Sequence, residues 1–167
     1  VFYTWSQRQI DFFDEQFGID IQWDIPLLDG YEYEFVENVS NKPGNKHFRG
    51  IVCPLLIQKI KSWAPTHLLV YGWNYHAHLK AMRYFYGKVP VMFRGDSHLL
   101  NEKATTWQDI WKNKFKPTFI ISLIRFKARQ AVLTWIYRHI DYALYVGKAN
   151  LRYFIAMGLK ENQLVFI

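Results

Sequence analysis

Five short apolar runs constrain the fold of this chain more than any other feature: residues 1–4, 68–71, 89–93, 142–146 and 164–167. Each is too short for a core helix, and the internal ones are bounded by Gly, Pro or polar residues. Uninterrupted apolar runs of this length are typical of strands buried in a parallel sheet covered on both faces. Residues 31–36 differ, because Tyr31, Tyr33 and Phe35 alternate with Glu32 and Glu34. That alternation predicts an edge or half-exposed strand. Helical spacing fills the intervals between runs. Residues 51–63 place Leu55, Leu56, Ile60 and Trp63 on one face, and Pro65 stops that helix. Residues 75–86 bring Leu79, Met82 and Tyr86 together and close on Gly87. Two helices, 106–115 and 118–140, are broken at Pro117, and a short one over 150–157 ends at Gly158. Strands alternating with helices predict the α/β class: a Rossmann-like parallel sheet with helices on both faces and right-handed crossovers. Residues 38–45 (Asn-Val-Ser-Asn-Lys-Pro-Gly-Asn) read as a turn-rich loop and as the most flexible segment.

Composition agrees with a packed domain. The chain has 167 residues, 50% of them hydrophobic and 19% aromatic, too apolar for a disordered tail. The single cysteine, Cys53, rules out a disulfide framework and a zinc ribbon and fits a reducing compartment. The net charge of +7 is unevenly spread. Residues 1–37 hold one base and nine acids, whereas the remainder holds 20 bases and five acids. Residues 110–139 alone carry seven bases and no acid. An acidic start and a basic back half predict two different surfaces. The sequence opens and closes on apolar, strand-prone residues, so a fragment of a longer protein is expected. No cationic start precedes an apolar stretch, so no secretory signal is read. The most apolar stretch, 117–137, is interrupted by Arg125, Lys127 and Arg129, which excludes a membrane-spanning helix.

Chemistry is expected at strand ends, because open α/β sheets bind ligands beyond the carboxyl ends of their strands. Three such ends are polar. The first, after 68–71, reads Gly72-Trp73-Asn74-Tyr75-His76-Ala77-His78. The second, after 89–93, reads Arg94-Gly95-Asp96-Ser97-His98. The third, after 142–146, reads Gly147-Lys148-Ala149-Asn150. Arg94 can fork onto a carboxylate or phosphate, and Asp96 and His98 can orient a hydroxyl or move a proton. The plainer alternative makes Asp96 or Ser97 the N-cap of a following helix. His76 and His78 are two residues apart, face apart on a helix and have no further ligand at metal spacing, so no metal is expected. No phosphate-binding glycine loop and no nucleophile signature is present. Asp24 and Asp29 offer a pair of acids, but their spacing reads as turn formers. The basic block interleaves aromatics (Trp107, Trp111, Trp135) with bases. That pattern suits an anionic membrane surface, nucleic acid, or a helix pair with solvated charges.

Several segments resemble a known family. Residues 13–18 (Phe-Asp-Glu-Gln-Phe-Gly) and 23–31 (Trp-Asp-Ile-Pro-Leu-Leu-Asp-Gly-Tyr) resemble the N-terminal half of bacterial GT-B glycosyltransferases of the group-1, family-four-like retaining kind. Those enzymes often carry a Trp-Asp-x-Pro-Leu-Leu-x-Gly-Tyr segment. Residues 93–98 are similar to their Arg-Gly-Glu/Asp-Ser-His turn, and 141–158 to the last strand and helix of the same domain. The resemblance implies an acceptor domain partnered by a C-terminal nucleotide-sugar domain, with the active site in the cleft between them. On this basis Arg94, Asp96 and His98 are expected in catalysis, and Trp73, Asn74, His76 and Ser97 in acceptor binding. Gly147, Lys148 and Asn150 are expected on the nucleotide-sugar side. The family's frequent His directly after the strand matching residues 89–93 is replaced here by Arg94.

The implied reaction transfers a sugar from a nucleotide-sugar to a cell-surface polysaccharide or lipid-linked acceptor, with retention, no obligate metal and no cofactor beyond the co-substrate. The chain alone, lacking the family's first strand and its nucleotide-sugar domain, is expected to be inactive. The family's habit of docking on membranes assigns Lys112, Lys114, Lys116, Arg125 and Arg129 to an anionic membrane surface. It implies a cytoplasmic protein touching the inner face of the cell membrane, with no nucleic-acid partner. The alternative function is a non-catalytic Rossmann-like module that binds nucleic acid or an anionic membrane. An unrelated α/β enzyme, such as an epimerase or esterase, is disfavoured by the missing signatures.

Overall fold

The computed structural model describes residues 1–5, 12–14, 19–21, 26–98 and 117–167. The chain divides into two compact units. The first comprises Val1–Pro65 with Asn74–Tyr84, and the second Thr66–Trp73 with Phe85–Ile167.

In the first unit, β1 (Phe2–Tyr3) pairs in parallel with β4 (Glu34–Phe35), and β2 (Phe12–Asp14) forms an antiparallel pair with β3 (Ile19–Ile21). The aromatic alternation around β4 is used as expected: Tyr3 stacks on Phe35 at 5.2 Å, and Tyr33 sits edge-on to Phe35 while staying partly exposed. The Tyr31 hydroxyl donates to the Leu27 carbonyl at 2.6 Å and is hydrogen-bonded to the Tyr3 hydroxyl. With the Tyr31 proton committed to Leu27, Tyr3 must donate. That bond, backed by partial burial, pushes the Tyr3 hydroxyl up to about 12. Lys59 pairs with Glu34 at the partly exposed edge of the unit.

The helix expected over 51–63 is shorter: α1 runs Leu56–Ser62. Pro54 explains the difference, because the residue before a proline is driven out of helical conformation. Ile51 and Val52 are instead held outside the helix by hydrogen bonds. The Ile51 carbonyl accepts from Ala77 N–H at 3.2 Å, and Val52 N–H donates to Asn38 Oδ1 at 2.8 Å. At the other end Ala64 takes a left-handed φ of 46° before Pro65, and its N–H returns to the Lys61 carbonyl. Cys53 is buried among this backbone, its thiol aimed at the Thr4 and Val36 carbonyls. Burial raises it to about 11, so the thiol is protonated and unreactive at neutral pH.

The turn-rich segment expected to be the most flexible is cross-braced. Asn38 Nδ2 donates to the Gly50 carbonyl at 2.8 Å, and Ser40 Oγ donates to the Arg49 carbonyl at 2.6 Å. Backbone bonds run from Val39 N–H to Val52 O and from Gly44 N–H to Gly50 O. Gly50 packs so closely that a Cβ there would meet the Gly44 carbonyl oxygen at 1.8 Å, which bars any larger residue.

The second unit carries the expected α/β architecture. Its sheet is four-stranded and wholly parallel in the order β5 (Leu68–Tyr71), β6 (Val91–Arg94), β7 (Tyr142–Tyr145), β8 (Leu164–Phe166). The helix α2 (His76–Phe85) lies between β5 and β6 in sequence, and α3 (Pro117–Tyr137) between β6 and β7. The last helix, α4 (Lys148–Ala156), joins β7 to β8. Pro117 is the first residue of α3, where its missing N–H costs nothing. The expected helix over 106–115 lies outside the described residues.

One row across the sheet, Val70, Phe93, Ala143 and Leu164, is in register on all four strands. Phe93 is buried against Tyr137 of α3 and Phe154 of α4. The flanking residues Leu69, Tyr71 and Tyr142 remain exposed. Two side chains of α3 close the end of α4: Gln130 donates to the Ala156 carbonyl at 2.8 Å and Thr134 to the Met157 carbonyl at 3.0 Å. Those carbonyls have no partner within their own helix, and Gly158 (φ 98°) turns the chain away. A Cβ at Gly158 would press on Thr134 at 3.0 Å.

Candidate functional site

Parallel strands all point their carboxyl ends the same way, so the segments after β5, β6 and β7 leave from one edge of the sheet. Within the second unit that edge holds Trp73, Arg94–Gly95–Asp96–Ser97–His98 and Gly147–Lys148. Arg94 is the last residue of β6 and pairs in register with Tyr71 of β5. Its guanidinium lies over the Tyr71 ring, 5.6 Å from the centroid, and its carbonyl accepts from Gly72 N–H at 3.0 Å. A cation held on an aromatic face keeps its charge while losing freedom, which suits it to meet an anionic group. Asp96 and His98 are exposed, and Ser97 is half-buried.

Asn150 organises this edge. It is 4% exposed, the one buried polar residue among those described. Its Nδ2 donates to the Ser97 carbonyl at 2.8 Å, and its Oδ1 accepts from Val146 N–H at 3.3 Å. One side chain thus ties the segment after β6 to the segment after β7. Both of its polar groups are engaged with protein backbone, so Asn150 acts here by positioning Ser97 and its neighbours. Gly147 and Lys148 open α4 immediately before it. The sequence singles out Asn150 as a strand-end polar residue but carries no signal for its partner 53 positions away.

Asp141 has a similar role at the opposite end of the sheet. Its carboxylate accepts from Val91 N–H at 2.8 Å while its own N–H donates to the Val91 carbonyl at 2.8 Å. Behind Phe93, the hydroxyls of Tyr137 and Tyr153 are buried. Burial, reinforced by Tyr153, drives the Tyr137 hydroxyl far above its ordinary range.

Asn74, His76 and His78 belong to the first unit. His78 Nε2 is 2.8 Å from Thr4 Oγ1, and its ring meets Tyr75 edge-on, so it packs. His76 sits edge-on to Phe48 and lines a cavity with Lys42, His47 and Arg49, residues that the sequence alone does not single out. Their signal is basic residues spaced through a turn-forming segment. Asp29 lies in a turn, its N–H donating to the Pro26 carbonyl at 3.2 Å, whereas Asp24 lies outside the described residues. Lys112, Lys114 and Lys116 also lie outside them, while Arg125 and Arg129 are exposed on α3. Among the described residues no group of three His, Cys, Asp or Glu side chains is placed to hold a metal ion, and no helix is long and apolar enough to cross a membrane.

No protein-family model matches the chain, and neither the curated proteins nor the solved structures include a significant match.

The Asn150 clamp makes a direct prediction. Asn150→Ala removes the hydrogen bonds to the Ser97 carbonyl and the Val146 N–H, both only part-buried, at a cost of about 1 kcal/mol each. Chemical denaturation of the variant should show a loss of that order. A loss below about 0.5 kcal/mol, the level of an ordinary surface change, would mean that the clamp does not hold the edge.

Proposed function

We propose that the chain is the acceptor-binding part of a retaining glycosyltransferase that moves a sugar from a nucleotide-sugar to a glycan or lipid-linked acceptor of the cell surface. The observation that carries the reading is the polar edge of the parallel sheet: Arg94 ends β6, Asp96 and His98 follow it, and Ser97 between them is tied by Asn150 to α4. The family resemblance of residues 13–31, 93–98 and 141–158 gives that edge its chemistry. In such a transfer the bond from the anomeric carbon to the nucleotide phosphate breaks and a bond to the acceptor hydroxyl oxygen forms. The hydroxyl proton leaves with the departing phosphate or through a side chain. Arg94 offers a fixed cation to a phosphate or carboxylate, and Asp96 or His98 orients the hydroxyl or takes its proton. Trp73 and Ser97 line the same edge as acceptor contacts. Asn74 and His76, residues of the first unit, are assigned to the acceptor by the family resemblance alone. Gly147 and Lys148, at the start of α4, serve the donor.

In the full-length protein, Arg94→Ala and Asp96→Asn should each lower transfer by about a hundredfold or more, the scale of a lost acid–base or charge contact. Folding free energy of the Asp96 variant should change by no more than about 0.5 kcal/mol, since Asp96 is exposed. Activity that falls only in proportion to stability would favour a capping role and remove the catalytic one.

The proposal includes a contact with the anionic inner face of the cell membrane, in a cytoplasmic protein. α3 carries no acid, and Ile121, Ile124, Val132 and Trp135 recur at three- to eight-residue steps that share one helix face while remaining exposed. Arg125 and Lys127 are exposed on the same helix. An apolar stripe beside bases suits a helix lying in the headgroup plane. Ile124→Asp with Val132→Asp should abolish sedimentation with phosphatidylglycerol vesicles; undiminished sedimentation would sink the membrane contact.

A further inference from the structure

The first unit contains an open cavity of about 470 Å³ bordered by the braced loop of residues 39–52 and by the start of α2. Its polar lining is one-sided. Lys42, Arg49, His47 and His76 contribute to a lining whose surface is mostly apolar, Ser40 and Asn41 border it too, and no carboxylate of the described residues takes part. The surrounding sequence sharpens the asymmetry: between Glu37 and Asp96 there is no acidic residue, while nine Lys and Arg occur. An apolar hollow bordered by basic residues, with no acid near it in sequence, favours a ligand that joins an anionic group to an apolar part, and its volume lies within the range of small-molecule pockets.

The cavity is also built in advance. Asn38 bridges both sides of the loop, through Nδ2 to Gly50 and through Oδ1 to the N–H groups of Ser40 and Val52. Ser40 Oγ donates to the Arg49 carbonyl and accepts from Lys42 N–H at 3.3 Å, which fixes the backbone at both permanently charged residues. Tyr75 donates to the Asn45 carbonyl at 3.2 Å, and Ala77 N–H to Ile51, so the loop is fastened to the helix that supplies His76. The close Gly44–Gly50 approach, which admits no Cβ, locks the hairpin. A loop ordered before binding loses little entropy on binding.

We propose that this cavity is a phosphoryl-anion site, taking the phosphate of a phosphorylated or phospholipid-linked acceptor. Arg49 supplies a planar fork for two phosphate oxygens, and Lys42 a mobile point charge. The imidazoles of His47 and His76 and the Asn41 amide offer further donors. The assignment of the phosphate to an acceptor rests on the transferase reading; the binding of a phosphoryl group does not.

Calorimetric titration of the chain with glycerol phosphate, and separately with glycerol, tests the site. Saturable binding of glycerol phosphate and none of glycerol is expected. Arg49→Gln and Lys42→Gln should each weaken it about tenfold or more, and Lys61→Gln, an exposed lysine of α1 outside the cavity, should leave it unchanged. Absence of saturable binding, or equal weakening by all three variants, would overturn the site. A parallel arm with phosphatidylglycerol vesicles separates the sources. Vesicle binding that falls with Arg49→Gln points to a lipid-borne phosphate. Vesicle binding indifferent to Arg49→Gln, with glycerol phosphate unbound, overturns the cavity as the site. Should the full-length protein transfer no sugar while this titration behaves as expected, the transferase reading fails and the anion site stands. Should it transfer sugar equally well with Arg49→Gln and bind no phosphate, the anion site fails and the transferase reading stands.

Discussion

The burial of Phe93 is the contact on which the second unit depends. It stands in the middle of a row that crosses all four parallel strands, and it meets Tyr137 of α3 and Phe154 of α4 at once. Removing a side chain of this size from a packed core costs about 3–5 kcal/mol, a large part of the stability of a small domain. The contact also has a directional consequence. By holding both helices to one face, it seats α4, whose Asn150 binds the Ser97 carbonyl, against the strand that ends on Arg94. Gly95 is held under the same ring: a Cβ there would lie 3.0 Å from Phe93. The polar edge thus inherits its geometry from an apolar residue two positions away.

Electrostatics then separates what the two units can attract. The second unit carries a cation stacked on Tyr71, beside an exposed carboxylate and an exposed imidazole, a mixed set suited to hydroxyls and proton movement. Among the described residues, the cavity of the first unit is bordered by Lys42, His47, Arg49 and His76 and by no acid. The acidic residues cluster before residue 38, in the stretch that carries the family-like Trp-Asp-Ile-Pro-Leu-Leu-Asp-Gly-Tyr segment.

Much of the sheet is legible in the sequence because its strands are short, apolar and punctuated. β5 matches its expected limits, and β7 and β8 lose one residue each. The expected strand at 89–93 begins two residues later, because Lys88 and Val89 N–H groups turn back to the Phe85 carbonyl. The β2–β3 pair is not foreseeable, since Phe-Phe-Asp and Ile-Asp-Ile are too short to show a period. The braced loop reads as flexible in the sequence for a physical reason. Asn, Ser, Pro and Gly report that the chain turns, not whether Asn38 and Ser40 commit their side chains to the surrounding backbone. The candidate residues at the sheet edge are legible because topology alone sends them there. The Asn150–Ser97 bond and the cavity around Arg49 are not, because they join residues far apart in sequence.

The proposed role of the strand-end residues is glycosyl transfer. It is tested most directly by incubating the full-length protein with a panel of radiolabelled nucleotide-sugars and a total glycan and lipid-linked acceptor fraction from cells. Incorporation of label from one donor, with the anomeric configuration of that donor retained in the product, is expected. Neither transfer nor donor hydrolysis with any nucleotide-sugar would contradict it.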